Sequence, residues 1–144
     1  MEAVVFCGIQ ASGKSTFYIS RFFETHVRIS QDLLRTRHRM ARLLELCLDT
    51  RQPFVVDRVN ATPEDRRRFA EPARTAGFRT VAYWFDAVPD EALARNARRD
   101  DGARVPAHAI LATHRRLVRP GPDERFDAVF RVTIAAPGFS VEPV

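Results

Sequence analysis

Cysteine is scarce in this chain, and long apolar runs are missing from it. Cys7 and Cys47 lie among apolar neighbours without the spacing of a metal site, so we expect two reduced core thiols in a cytoplasmic protein. No apolar run approaches the roughly 20 residues that a membrane-spanning helix needs, which argues against a membrane partner. The first ten residues lack a basic start and a small-residue cleavage site, and they indicate a buried strand instead of a signal peptide.

Lysine is rarer still, because Lys14 is the only one in the sequence. Lysine and arginine together outnumber the acidic residues by 23 to 18, which gives a formal net charge of +5. A basic balance favours anionic partners such as nucleotides or nucleic acids, although a genome that favours arginine would produce the same excess. The single compact ammonium suits a narrow phosphate cradle better than a planar guanidinium would.

Segments typical of strands and helices alternate along the chain. The apolar and branched runs predict strands at residues 3–7, 27–29, 54–56, 78–85 and 126–134. Helical patterns and caps predict helices at residues 15–23, 31–50, 63–77, 89–99 and 106–118. With 144 residues and no repeat or linker, the chain predicts a single domain over residues 1–144. Its expected form is an α/β three-layer sandwich with about five mostly parallel strands.

The segment from Gly8 to Ser15, GIQASGKS, matches the phosphate-binding pattern G-x-x-x-x-G-K-[ST] at every fixed position. It follows a predicted strand and begins a predicted helix, which is the context that this loop requires. Its backbone amides and the helix N-terminus would surround phosphate oxygens, so the chain is predicted to have a P-loop NTPase fold and to bind a nucleoside triphosphate. The predicted nucleotide-binding residues of the loop are Gly8, Gln10, Ala11, Ser12, Gly13, Lys14, Ser15 and Thr16.

Two residues of the loop are given chemical roles. Lys14 is predicted to reach the β- and γ-phosphates and to act in catalysis. The Ser15 hydroxyl is predicted to bind a magnesium ion that bridges those phosphates. ATP and Mg²⁺ are therefore the expected cofactors.

The second strand is followed by a candidate acceptor site. Asp32 stands at the start of the predicted helix 31–50, and Arg35 lies one helical turn later on the same face. A carboxylate there can take the proton of an acceptor hydroxyl, and the arginine can hold an anionic part of that acceptor. The alternative is an ordinary N-terminal aspartate with a surface arginine.

Polar residues also follow the third strand. Asp57 ends this strand, and an aspartate at such a position commonly holds magnesium, directly or through water. Asn60 follows in the next loop and is assigned to substrate binding. The alternative for Asp57 is a simple turn residue.

A basic segment at residues 90–105 has the composition of a lid. Arg95 and Arg99 are four residues apart on a predicted helix, before the loop Asp100-Asp101-Gly102. An arginine delivered by a closing segment stabilises charge on a transferring phosphoryl group, and closure excludes water. Both are predicted to bind the nucleotide, and Arg99 also to act in catalysis. The alternative is a solvated helix face.

Four segments of the chain resemble the kinase domain of polynucleotide 5′-hydroxyl kinases, within the larger group of small P-loop kinases. They are GIQASGKSTF, SQDLLR, VVDRVNATPEDRRRF and RNARRDDGARVP, and they extend from residue 8 to residue 106. The resemblance implies a kinase-type P-loop fold with a helical lid. It also implies that Asp32 is the general base, that Arg35 grips the phosphate next to the acceptor hydroxyl, and that Arg99 contacts the nucleotide phosphates.

The sequence thus predicts an ATP- and Mg²⁺-dependent kinase whose acceptor is the 5′-hydroxyl end of a polynucleotide, as in nucleic acid repair. A kinase for the hydroxyl of a small metabolite or antibiotic remains an alternative, since small P-loop kinases share most of these segments. A non-catalytic ATP-binding module is the second alternative, against which the intact Lys14, Ser15 and Asp32 argue.

Overall fold

The computed structural model describes residues 1–144, in which strands and helices alternate along most of the chain. The strands are β1 Glu2–Cys7, β2 Val27–Ser30, β3 Phe54–Asp57, β4 Arg79–Phe85, β5 Ala128–Ala135 and β6 Gly138–Pro143. The helices are α1 Lys14–Arg21, α2 Gln31–Leu34, α3 Arg37–Thr50, α4 Pro63–Thr75, α5 Pro89–Ala97 and α6 Ala107–Arg116. A short 3₁₀ helix spans Pro122–Glu124. None of these helices combines the length and the apolar character required to cross a membrane.

All six strands belong to one sheet, in the order β2-β3-β1-β4-β5-β6. Strands β1 to β5 pair in parallel, whereas β6 is antiparallel to β5. Parallel neighbours require crossover connections, and the helices supply them. The predicted α/β fold with a mostly parallel sheet is confirmed, but the sheet has a sixth strand that the sequence analysis missed. The residues of the missed strand are at most half-buried, so no apolar run marks it.

Strand β1 is the centre of the core, because Ala3 to Cys7 are completely buried between β3 and β4. Successive side chains point to opposite faces. Val5 therefore packs in one apolar cluster with residues of α3 and α4, and Phe6 packs in the other with Phe17 of α1 and Tyr83 of β4. The phosphate loop begins directly after this strand, so a rigid, water-free element fixes its position.

The start of α4 is the one predicted from its capping residues. The Thr62 side chain accepts a hydrogen bond from the amide of Asp65 at 3.2 Å, and the Asp65 carboxylate accepts one from the amide of Thr62 at 3.4 Å. Pro63 occupies the first helical position, where its missing N–H costs nothing. The capping pair and the proline are close together in the sequence, so the start of α4 could be predicted without knowledge of tertiary contacts.

The predicted helix at residues 31–50 is wrong, because the chain forms two helices there. Arg35 has a φ of 70° and ends α2, and Thr36 then caps α3 by accepting a hydrogen bond from the amide of Arg39 at 3.1 Å. Ser30 caps α2 in the same way through the amide of Leu33. Two capping side chains six residues apart outweigh the continuous apolar pattern, and Arg35 is not on an unbroken helix with Asp32.

A buried ion pair joins α4 to the 3₁₀ helix. The Arg66 side chain is 0% exposed, and its guanidinium donates to both Glu124 carboxylate oxygens at 2.7 Å. The remaining donor of Arg66 contacts Cys7 Sγ at 3.3 Å and the carbonyl of Asn60 at 2.9 Å. This pair therefore supports the end of β1 and the loop after β3 from behind.

We expect Glu124→Gln to destabilise the fold by about 3–5 kcal/mol, because it leaves a buried guanidinium without its counter-charge. Urea denaturation followed by circular dichroism measures the free energy of unfolding. Glu142→Gln is the matched control, since Glu142 pairs with Arg131 at the surface at 3.6 Å and such pairs contribute about 1 kcal/mol or less. Equal losses in both variants would contradict this account.

Candidate active site

A cavity of about 880 Å³ lies where the loops after β1, β2 and β3 meet the segment after α5. Ligands gather at this carboxyl edge in parallel α/β sheets. The predicted site residues that line it are Gln10, Ala11, Ser12, Gly13, Lys14, Ser15, Thr16, Asp32, Arg35, Asp57 and Arg99. The structure thus brings the phosphate loop, the acceptor candidates and one lid arginine together. Gly8, Asn60 and Arg95 are not part of the lining.

The shape of the phosphate loop requires glycine at two positions. A Cβ on Gly8 would lie 2.8 Å from Phe85 Cβ, so the loop could not approach the end of β4 as closely. Gly13 has a φ of 95°, and a Cβ there would lie 2.9 Å from a ring carbon of Phe139 in β6. Glycine adopts this conformation without strain. The hairpin of β5 and β6 therefore backs the loop directly.

Lys14 is directed at the loop's own backbone. Its Nζ donates to the carbonyls of Gly8 at 2.9 Å and Ile9 at 2.7 Å, and it lies 3.5 Å from Ser12 Oγ. Burial lowers the pKa of Lys14 from its ordinary 10.5 to about 8, although the nearby Asp57 carboxylate acts in the opposite direction. The ammonium is held by dipoles with no ion pair, so an anion entering the loop would supply the counter-charge that it lacks.

The guanidinium of Arg28 contacts both Ser15 and Asp57, and the sequence did not predict this arginine as part of the site. The Ser15 hydroxyl donates to Asp57 Oδ2 at 3.0 Å. Arg28 of β2 donates from Nε to the same oxygen at 2.8 Å and from Nη2 to Ser15 Oγ at 2.8 Å. The alternation along β2 is the signal that could have indicated Arg28, because the buried Ile29 faces the α3 side and its neighbour must face α1.

This pair of oxygens fits a magnesium ion. Hydroxyl and carboxylate oxygens are ligands that Mg²⁺ prefers, and here they already hold a guanidinium together. No group of three or more His, Cys, Asp or Glu side chains is positioned to hold a metal ion. A magnesium ion between Ser15 and Asp57 would therefore complete its shell with water and ligand phosphates, as it commonly does.

Asp32 and Arg35 both line the cavity. Both side chains are exposed, and Asp32 belongs to the first turn of α2. The Asp32 carboxylate lies near enough to Lys14 to act against the lowering of the Lys14 pKa, which favours the charged form of this lysine. Arg35 reaches the same cavity from the residue that ends α2, although the continuous helix predicted for the two is absent.

The two lid arginines do not act as one helical face. Helix α5 ends at Ala97, so Arg99 lies in the turn beyond it and lines the cavity. Arg95 instead donates from Nε to the carbonyl of Ala11 at 2.6 Å, and burial lowers its pKa. Arg95 therefore supports the phosphate loop through its backbone.

Asn96 closes the lid loop, a role that the sequence analysis missed. Its side-chain amide donates to the carbonyl of Val105 at 2.7 Å and accepts from the amide of Val105 at 3.0 Å. The side chain is almost completely buried. Residues 97–104 thus form a loop whose two ends are tied together, and Arg99 projects from it.

Asn60 is not placed to bind an acceptor, which corrects its sequence assignment. It is 1% exposed, and its Nδ2 donates to the carbonyl of Phe6 at 2.7 Å. Its φ of 45° places it in a tight turn after β3. Asn60 ties this turn to β1, and the residues of the same loop that line the cavity are Arg58 and Val59.

The single lysine makes the pKa of Lys14 measurable by chemical labelling. Amine reagents attack the neutral form, so we expect the labelling rate without nucleotide to rise around pH 8 instead of near 10.5. Added Mg·ATP should move this midpoint upward, because phosphate charge favours the ammonium. Peptide mass spectrometry separates Lys14 from the N-terminal amine. A midpoint near 10.5 without nucleotide would contradict the structure.

Known proteins share this architecture. Kti12 from Chaetomium thermophilum, solved in complex with ADP-AlF3, matches with a TM-score of 0.71 and 17% identity over 91% of this chain and 88% of that one. A gluconokinase from Sinorhizobium meliloti 1021 matches with a TM-score of 0.64 and 19% identity over 94% of this chain and 84% of that one. APS kinase from Mycobacterium tuberculosis, in complex with AMPPNP and APS, matches with a TM-score of 0.51 and 18% identity over 67% and 69% of the two chains.

At these identities the similarity concerns the fold, which is that of P-loop kinases. A family model described as an AAA domain matches residues 4–120, which include the phosphate loop, Asp32, Asp57 and Arg99. The chain belongs to this family, AAA_33, and has a P-loop kinase-like fold.

Proposed function

We propose that this protein is an ATP- and Mg²⁺-dependent kinase that phosphorylates an acceptor hydroxyl, in particular the 5′-hydroxyl end of a polynucleotide. The observation that carries the proposal is one cavity lined both by Lys14 and Ser15 of the phosphate loop and by Asp32 and Arg35 from the segment after β2. A phosphate cradle alone would serve a switch or a motor equally well. A carboxylate can take the proton of an acceptor hydroxyl, and an arginine in the same cavity can hold an anionic group of that acceptor.

The nucleotide side of the proposal rests on the loop and its cation. The backbone amides of residues 8–16 and the N-terminus of α1 would hold the β- and γ-phosphates, and Lys14 would exchange its carbonyl contacts for phosphate oxygens. Two proteins of the same fold were solved with ATP-type ligands, Kti12 with ADP-AlF3 and APS kinase with AMPPNP. These observations support ATP as the phosphoryl donor.

Ser15 and Asp57 would hold the magnesium ion, and Asp57 would do so directly or through water. When bound, the ion would supply positive charge that offsets the negative charge of the phosphates. The guanidinium of Arg28 must then leave these oxygens. Its side chain is 30% exposed, so it can turn outward without unfolding β2.

On the acceptor side, Asp32 would accept the hydroxyl proton as the oxygen attacks the γ-phosphorus. The new bond joins this oxygen to phosphorus, the bond from phosphorus to the β–γ bridging oxygen breaks, and ADP leaves with those electrons. Arg35 would hold an anionic group of the acceptor. Arg99 would face the charge that develops on the phosphoryl oxygens, carried by the loop that Asn96 closes.

The arginines that line the cavity support a polynucleotide as the acceptor. Arg35, Arg58, Arg99 and Arg104 line the cavity, while Asp32 and Asp57 are its only acidic residues. A neutral sugar needs no such surplus, whereas a phosphodiester strand does. The gluconokinase with the same fold favours a second candidate, the hydroxyl of a small metabolite.

We expect Asp32→Asn to lower the transfer rate by about 10²–10⁴-fold, because it removes the proton acceptor, and to leave ATP binding unchanged. Transfer of labelled phosphate to 5′-hydroxyl DNA, 5′-hydroxyl RNA, sugars and antibiotics measures both the rate and the acceptor. Asp49→Asn, on the exposed side of α3, is the control for the loss of one charge. Unchanged turnover in Asp32→Asn would reject this residue as the base.

We expect Arg28→Gln to lower the magnesium concentration that half-saturates binding of a fluorescent ATP analogue. The guanidinium competes for the oxygens of Ser15 and Asp57, and its loss should favour Mg²⁺ about fivefold, or about 1 kcal/mol. Arg21→Gln is the control, because Arg21 is a surface residue of α1 whose contact is the Phe17 ring. An increased or unchanged magnesium requirement in Arg28→Gln would show that the two cations do not compete.

A further inference from the structure

Arg58 lines the cavity, but the proposed phosphoryl transfer gives it no role. It directly follows Asp57 at the end of β3 and lines the same cavity as Asp32 and Arg35. Its side chain is oriented by two amides. Its Nε donates to Gln31 Oε1 at 2.9 Å, and its Nη1 donates to Asn60 Oδ1 at 3.5 Å.

The contacts of Arg58 are all neutral. Besides the two amides, its guanidinium carbon lies 5.8 Å from the centre of the Phe69 ring. Arg28 and Arg66 bind the carboxylates of Asp57 and Glu124, whereas Arg95 donates to the carbonyl of Ala11 and does not line the cavity. Arg58 lines the cavity, and its hydrogen bonds go to neutral side chains without an ion pair.

The surroundings of Arg58 add positive charge. Burial is the main cause that lowers its pKa, and Arg37, Arg68 and Arg116 act in the same direction. Asp65 opposes them and pairs with Arg116 at 3.5 Å, so these two charges offset each other and Arg37 and Arg68 are the excess. A bound anion would relieve this excess of positive charge.

The position of the Arg58 guanidinium indicates that it would bind the acceptor and not the nucleotide. Gln31, which holds Arg58, is the chain neighbour of Asp32, and both line the cavity with Arg35. Lys14 and Arg99 serve the nucleotide side. An anion bound between Arg35 and Arg58 would thus lie next to the hydroxyl that Asp32 activates.

We propose that Arg58, oriented by Gln31 and Asn60, binds a phosphate group of the acceptor together with Arg35. This inference rests on the proposed function and narrows its substrate class to hydroxyl acceptors that carry a phosphate close to the reacting hydroxyl. The first phosphodiester of a 5′-hydroxyl strand has this chemistry, and so does a small phosphorylated alcohol. Because the amides preset the guanidinium, binding does not have to order a free arginine.

Binding of a 5′-hydroxyl oligothymidylate, labelled with fluorescein at its 3′ end, tests the phosphate contact by fluorescence anisotropy. A second probe has an uncharged methylphosphonate at the first linkage. We expect this change to weaken binding to the wild-type protein about tenfold. Arg58→Gln should weaken binding of the charged probe by less, because Arg35 still contacts the phosphate. For the same reason, the difference between the two probes should become smaller in Arg58→Gln. Arg51→Gln, a surface arginine at the end of α3, should behave like the wild-type protein.

Footprinting of the wild-type protein provides a measurement that does not depend on folding of a variant. Phenylglyoxal modifies accessible arginines, and peptide mass spectrometry reports the modification of Arg58 and Arg51 separately. With the phosphate loop saturated by Mg·AMPPNP, the oligothymidylate or inorganic phosphate should protect Arg58 and leave Arg51 reactive.

The outcomes separate the two proposals. Protection of Arg58 by inorganic phosphate without oligothymidylate binding would reject the polynucleotide acceptor and keep the anion site. Tight oligothymidylate binding with Arg58 fully reactive, or with the methylphosphonate penalty intact in Arg58→Gln, would overturn the role of Arg58 and keep the acceptor class. An absence of both binding and protection would overturn both.

Discussion

The confinement of one ammonium group among backbone carbonyls is the interaction on which the rest of the site depends. Lys14 lies over a loop that begins at the most deeply buried strand, and its nearest contacts are the carbonyls of Gly8 and Ile9. Dipoles compensate a buried charge only in part, as the lowered pKa of Lys14 indicates. The loop is therefore stable but electrostatically incomplete, and a triphosphate would complete it.

The cations around the cavity divide by how their charge is compensated. Arg28 and Arg66 have carboxylate partners and hold parts of the structure in place. Lys14, Arg35 and Arg58 have none. Lys14 and Arg58 are partly buried, and uncompensated charges of this kind are costly unless a ligand binds to them. Their grouping with Arg35 in one cavity is consistent with a ligand that carries anionic groups.

Most of the fold was accessible from the sequence because its determinants are local. The alternation of apolar runs and helical patterns predicted the parallel strands, and the capping residues of α4 predicted its start. The break at Arg35 was missed because the apolar pattern continues through it, although Ser30 and Thr36 signal the two caps. Strand β6 was missed because an antiparallel partner with half-buried residues leaves no apolar run.

Site residues could be predicted from the sequence only where they belong to a recognisable motif. The phosphate loop, Asp32, Asp57 and Arg99 were predicted as site residues, and they line one cavity. The contacts of Arg28 with Asp57 and of Arg58 with Gln31 join residues 29 and 27 positions apart, and no spacing rule links them. Asn60 was misassigned for the same reason, since its partner is the backbone of Phe6. Such roles depend on tertiary contacts and require coordinates.

The contact between Gly13 and Phe139 couples the phosphate loop to the hairpin of β5 and β6. The Phe139 ring lies behind the phosphate loop and packs on Phe17 of α1 at a centroid distance of 5.1 Å. The curvature of the loop is therefore set partly by a hairpin formed more than a hundred residues later. During synthesis, the segment with the most recognisable sequence would acquire its final geometry only after the last strands have joined the sheet.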